Sequence, residues 1–149
     1  MEALPSQFDT PELRRRIALI AQSHERLTGR ALVDGPDLAE ALWNAPLAVV
    51  AHGTQADPLF FFGNRAALTA FGASLGQFIG MPSRLSAEAP DRAERQALLD
   101  RVTARGFIDD YAGTRVRLDG GKFRIENATV WNLIDEDGVR HGQAAAFAV

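Results

Sequence analysis

The residues equipped for chemistry gather in the last third of the chain. Between Lys122 and Ile134, Glu126, Asn127, Thr129, Trp131 and Asn132 stand among apolar neighbours. A strand that only seals a core does not need so many hydrogen-bonding groups. If alternation is unbroken, Asn127, Thr129, Trp131 and Leu133 share one face with Phe123 and Ile125. Turned inward, that face would give an apolar hollow an amide, a hydroxyl and an indole N–H, the usual make-up of a small-molecule pocket. The competing reading has Asn127 and Thr129 bonded to nearby backbone, or turned outward by a β-bulge.

A second cluster is Asp109, Asp110, Tyr111 and Arg115. Consecutive carboxylates on a strand point to opposite faces and so make no acid–base pair by themselves. With Arg124 and Glu126 they read as a charged ladder across strands. Arg84 sits in a loop and could hold a ligand carboxylate or phosphate; the plainer reading is an ion pair with Glu88 or Glu94. Phe60, Phe61 and Phe62, with Phe71 and Phe78, read as core. The candidate ligand-binding residues are Asn127, Thr129, Trp131, Arg84, Tyr111 and Phe62.

Other chemistries find little support. Phosphate-binding loops, the zinc-binding His-Glu-x-x-His pattern and the nucleophile elbow are missing. The three histidines, His24, His52 and His141, are far apart in sequence and read as structural or exposed, with no metal site. There is no cysteine, which removes disulfides, thiolate ligands and thiol nucleophiles. A net charge of −3 argues against nucleic acid as a partner, and Arg14-Arg15-Arg16 reads as a solvated helix face. The longest apolar runs, such as 58–62, are too short to cross a bilayer, and the N-terminus lacks a signal-peptide pattern. The expectation is a soluble, cytoplasmic protein.

These residues must be positioned by elements that the pattern makes legible. Thr10-Pro11-Glu12 starts a helix, with a cap, a preset φ and an acid at the positive end of the dipole. Leu13, Ile17, Ile20, His24 and Leu27 form its apolar stripe. A short helix ends near Trp43. Residues 1–44 therefore form an N-terminal helical extension, and residues 45–149 the main domain. There, 47–52 and 59–62 pair as a hairpin, and Asn64 caps a helix over 65–71. A short helical turn follows at 75–80. The longest helix runs from Ala89 to Arg105, buried along Leu98, Leu99 and Val102. Glu88 with Arg92, and Asp91 with Arg95, are spaced for ion pairs on its wet side. Three strands close the chain, joined by turns at 119–121 and 135–138. Strands split by a helical block predict an α+β fold: a five-stranded antiparallel sheet with helices on one face.

That order is the PAS order, and local residues sharpen it. Phe61-Phe62-Gly63-Asn64-Arg65-Ala66-Ala67-Leu68 resembles a PAS helix start. The stretches 82–88, 92–99, 106–115, 123–133 and 141–145 resemble the MEKHLA domain, a PAS-related family of small bacterial proteins and plant homeodomain–leucine zipper factors. The resemblance covers nearly the whole chain. It implies a PAS-like sensory module that binds a small molecule between sheet and helices and signals through protein contacts. It names no ligand. Flavin–cysteinyl photochemistry is ruled out for want of a cysteine, while flavin without an adduct stays compatible. Haem is disfavoured because the long helix has no histidine, which leaves only His52. The amphipathic first helix suggests a homodimer. Two other readings stay open: a ligand-free interaction or dimerisation module, and a small enzyme with a cone-shaped cavity, for which Tyr111, Asp109, Asp110 and His52 are the groups to test. The sequence supports an enzyme least.

Overall fold

A computed structural model describes residues 1–87 and 92–149, and of Arg92 the backbone alone. The described elements are α1 (Pro11–Thr28), α2 (Leu38–Trp43), β1 (Ala48–His52), β2 (Phe60–Gly63), α3 (Arg65–Phe71), α4 (Leu75–Phe78), α5 (Arg92–Arg105), β3 (Phe107–Val116), β4 (Lys122–Ile134) and β5 (Arg140–Phe147). Short 3-10 turns stand at Ser6–Phe8 and Ser83–Ser86.

The starts of α1 to α4 each follow from a side-chain cap. Thr10 accepts from the Leu13 N–H with Pro11 at the first helical position. Asp37, Asn64 and Ser74 cap α2, α3 and α4 in the same way. Asn64 does more than cap. It is fully buried; its Oδ1 accepts from Val49 and Ala67 N–H, and its Nδ2 donates to the Leu42 and Leu47 carbonyls. One amide thereby locks the end of α2, the start of β1 and the start of α3.

The five strands are all antiparallel in the order β2-β1-β5-β4-β3. Both sheet faces are covered. On the inner face, α3 and α4 pack Phe71 and Phe78 against Phe60, Val50, Ile125 and Phe147, and α5 adds Leu98 and Val102 against Ile108 and Val130. On the outer face, α1 and α2 pack Ile17, Ile20, Leu42 and Trp43 against Val49, Ala51, Trp131, Leu133, Ala144 and Ala146. Burying each large aliphatic side chain contributes roughly 1.5–3 kcal/mol, so α1 is an integral layer. The expected stripe of α1 is the one that is used: Ile17, Ile20 and His24 are buried against its own sheet. The apolar surface expected to serve a homodimer is therefore consumed within the chain.

Two irregularities set which residues face inward. In β2 a bulge opposite Ala51 and His52 sends both Phe61 and Phe62 to the outer side, where the Phe62 ring lies 5.4 Å from Phe8 and the Arg16 guanidinium lies over Phe61. In β4 the pairing with β3 shifts register on both sides of Tyr111, opposite Ala128, and Asn127 takes a left-handed φ of 51°. Asparagine tolerates that conformation better than most residues. The extra residue exchanges the faces: Phe123 and Ile125 point inward, and after the bulge Ala128, Val130 and Asn132 do.

Candidate functional site

The inner face encloses a cavity of about 50 Å³ between β1, β5, β4, β3 and α5. Its wall is mostly apolar, from Val50, Phe60, Phe71, Leu98, Val130 and Phe147, with His52, Ser86, Arg95, Tyr111, Arg115 and Gln143 as the polar groups. A more polar recess adjoins it, sharing Arg95, Tyr111 and Arg115 and adding Arg124 and Glu94.

Strand geometry delivers His52. Ala48, Val50 and His52 alternate inward along β1, and His52 pairs with Gln143 of β5. The residue is only 6% exposed. Its Nδ1 lies 3.0 Å from the Gly53 carbonyl, and a carbonyl can only accept, so Nδ1 carries the proton. Nε2 is then a lone-pair acceptor, and it has no partner among the described residues. Burial, with Arg95 and Arg140 adding to it, pushes the His52 pKa down to about 4.

Helix periodicity delivers Arg95. It stands three, four and seven residues before Leu98, Leu99 and Val102, on the buried stripe of α5. It is 9% exposed, and its Nη2 donates to Ser83 Oγ at 2.6 Å. Among the described residues no carboxylate forms an ion pair with it. Burial and then the neighbouring Arg115 push its pKa down to about 10. Asp57 acts on it in the opposite sense without forming an ion pair, and the guanidinium stays charged. Arg115 lies over the Tyr111 ring, 5.0 Å from its centre. Among the described residues the site thus offers a positively charged wall beside a hydrogen-bond acceptor without a partner.

Gln143 and Asn132 link the cavity to α5. Gln143 Nε2 lies 3.0 Å from Asn132 Oδ1, 3.0 Å from Thr103 Oγ1 and 3.1 Å from the Leu99 carbonyl, and Asn132 Nδ2 donates to the Val102 carbonyl at 3.0 Å. Carbonyls near the end of α5 thereby find partners on the sheet.

Of the six residues expected to bind ligand, Tyr111 alone lines the cavity. Asn127 is exposed on the bulge. Thr129 and Trp131 face α1, because the bulge reverses the alternation; Trp131 is fully buried, and its Nε1 donates to the Ile20 carbonyl at 3.0 Å. Phe62 is in the outer core. Arg84 is exposed and bonds Asp57 through Nε at 3.2 Å, in place of the expected Glu88 or Glu94; Glu88 lies outside the described residues. Asp91, the expected partner of Arg95, also lies outside them, as do residues 89 and 90 at the expected helix start. Arg124 pairs with Glu126 along its own strand at 3.6 Å. Asp109 and Asp110 are exposed, so of the enzyme candidates His52 and Tyr111 are the ones at the cavity. Arg95 and Gln143 escaped sequence reasoning. The signal for Arg95 was its register with Leu98 and Val102, and for Gln143 its alternation with Ala145 and Phe147.

Among the described residues, no three His, Cys, Asp or Glu side chains gather as a metal site, and no helix is long and apolar enough to cross a membrane. A flavin does not fit the cavity as it stands, since a ligand of that size takes roughly 300–1,000 Å³.

A five-stranded antiparallel sheet in this order, with α3 to α5 closing a hollow on its inner face, defines a PAS-like domain. Solved structures agree on the fold. A PAS domain from Colwellia psychrerythraea superposes with a TM-score of 0.62 at 20% identity, covering 73% of this chain and 90% of that one. An RNA-binding light-oxygen-voltage receptor gives 0.64 at 20% identity, over 74% of this chain and 31% of that one. The light-state dimer of the fungal blue-light photoreceptor Vivid gives 0.56 at 16% identity, over 71% and 79%. The MEKHLA domain model matches residues 14–149, and the chain belongs to that family. The match takes in nearly all of α1, in keeping with its place as a layer of the fold. A curated relative, the homeobox-leucine zipper protein ATHB-14 of Arabidopsis thaliana, is 25% identical over 146 residues. The alignment covers 93% of this chain and spans 17% of the relative's length.

Proposed function

We propose that the chain is a PAS-like sensory module that binds a small molecule in the cavity between the sheet and α5 and passes the signal on through protein contacts. The observation that carries this is the buried Nε2 of His52, without a partner among the described residues, on the same cavity wall as Arg95, which no described carboxylate pairs with. Buried polar groups are as a rule satisfied, and both of these would be satisfied by an occupant. Signal transfer has a physical route. A ligand touching Arg95 and His52 ties the start of α5 to the sheet, next to the Gln143 and Asn132 contacts that hold its later turns. Occupancy then changes how firmly α5 is held, and a protein surface reads that difference. In this reading residues 1–44 are a helical cap on the outer face, the protein works in the cytoplasm, and a second copy of the chain is a partner. Any dimer surface lies elsewhere than on the buried stripe of α1.

The test is native mass spectrometry of the purified protein, with its absorbance spectrum, followed by denaturation and identification of what is released. The proposal expects a mass excess that disappears on denaturation, or a ligand-dependent rise in melting temperature from a metabolite screen. Neither effect, across carboxylates, amides and nucleobases, would leave a ligand-free interaction module. That second reading is kept because a few waters would also fill about 50 Å³.

A further inference from the structure

We infer that the occupant of this cavity is a small hydroxycarboxylate, its carboxylate on Arg95 and its hydroxyl donating to His52 Nε2. The inference rests on the small-molecule reading and gives its ligand a chemical class.

Three observations carry it. The first is charge. Arg95 is nine-tenths buried, no described carboxylate pairs with it, and Ser83 Oγ takes one of its five N–H donors. A planar fork of donors without a paired carboxylate among the described residues matches a ligand carboxylate, which accepts two parallel hydrogen bonds. Arg115 adds a second positive charge at the same wall and has no ion pair among the described residues. The second is the hydrogen-bond polarity of His52. With its proton held on Nδ1 by the Gly53 carbonyl, Nε2 can only accept. A carboxylate alone has nothing to donate to it, whereas a hydroxyl does. The third is size and lining. About 50 Å³ with walls of Val50, Leu98 and Val130 suits a few carbons, and excludes nucleotides and flavins.

The experiment titrates the wild-type chain at pH 7.5 with acetate, glycolate, lactate and 3-hydroxybutyrate, and with the matched amides, by calorimetry and thermal shift. At least one hydroxy acid should bind, at least about tenfold more tightly than its amide and than the acid lacking the hydroxyl. Arg95→Gln should bring the hydroxy acid down to the affinity of its amide. His52→Phe should erase the preference for the hydroxyl while keeping that for the charge. If Arg95→Gln does not fold, the wild-type comparison of acid with amide decides alone. Amides binding as tightly as acids would overturn the carboxylate assignment and leave the small-molecule reading standing. No binding by any member, together with no small molecule on the purified protein by native mass, would overturn both.

Discussion

Gln143 Nε2 donates to Asn132 Oδ1 at 3.0 Å, inside the sheet face that α5 covers. The two amides stand on neighbouring strands in register, and both reach carbonyls of α5. In an interior of low dielectric such a network is worth keeping only if it is complete. Gln143→Leu leaves Asn132 and the helix carbonyls short of a donor and should cost about 1–3 kcal/mol. Urea unfolding should show this, and Asn132→Leu with Gln143→Leu should cost less than the two singles added together. Strict additivity would mean that the residues act separately.

Trp131 tests which face is which. It packs on α1, donates to the Ile20 carbonyl and meets the His24 ring edge-on at 4.9 Å. Trp131→Phe should cost about 1–3 kcal/mol through the lost hydrogen bond and volume. Ligand affinity should stay within about twofold, because the side chain is on the opposite side of the sheet from the cavity. A loss of affinity without a loss of stability would place Trp131 at the site after all.

The pH dependence follows from His52. Its folded pKa is depressed from 6.5 to about 4, so the unfolded chain binds more protons between those values. Stability from this group is complete above about pH 6.5 and is lost as the pH falls through about 4. A shift of that size corresponds to about 3 kcal/mol. Burial lowers His24 as well, in the same direction. Denaturant unfolding from pH 8 to 4 should give a falling free energy, and His52→Gln should flatten the slope. An unchanged slope in that variant would assign the dependence to other groups.

Gly142 stands beside the site. Its φ is 144°, and a Cβ there would collide with the His52 carbonyl oxygen. Gly142→Ala must push β5 away from β1 and should cost more than about 2 kcal/mol. Gly138, at φ 81° in the open turn, meets nothing, and Gly138→Ala should cost about 1–2 kcal/mol for the backbone conformation alone. Thermal melts of the two variants make the comparison. Equal losses would mean that the strands have room to spare.

Much of the architecture was legible from local chemistry. Asn64 reads as a cap from its place between a strand and an Ala-rich helix, and β4 is bounded by its two turns, so its limits at Lys122 and Ile134 were readable. The candidate site was less so. Alternation along β4 is a sound rule that a single residue can reverse, and Asn127 in a left-handed conformation does so. That bulge is fixed by pairing with β3 around Tyr111, which the β4 sequence does not contain. Arg95 was hidden for a different reason. A charged residue spaced four from Asp91 looks like a surface ion pair, and only the helix's docking on the sheet turns its stripe, arginine included, inward.

A small molecule seated between Arg95 and His52 would touch both groups at once. The most direct test of that seating is a 1H–15N titration of the wild-type chain with lactate, following the Arg95 Nε–H, the His52 ring nitrogens and the Trp131 indole N–H. Saturable shifts are expected at Arg95 and His52, while the Trp131 indole stays in place on the far side of the sheet. Shifts confined to the surface, with Arg95 and His52 unmoved by every hydroxy acid tried, would contradict it.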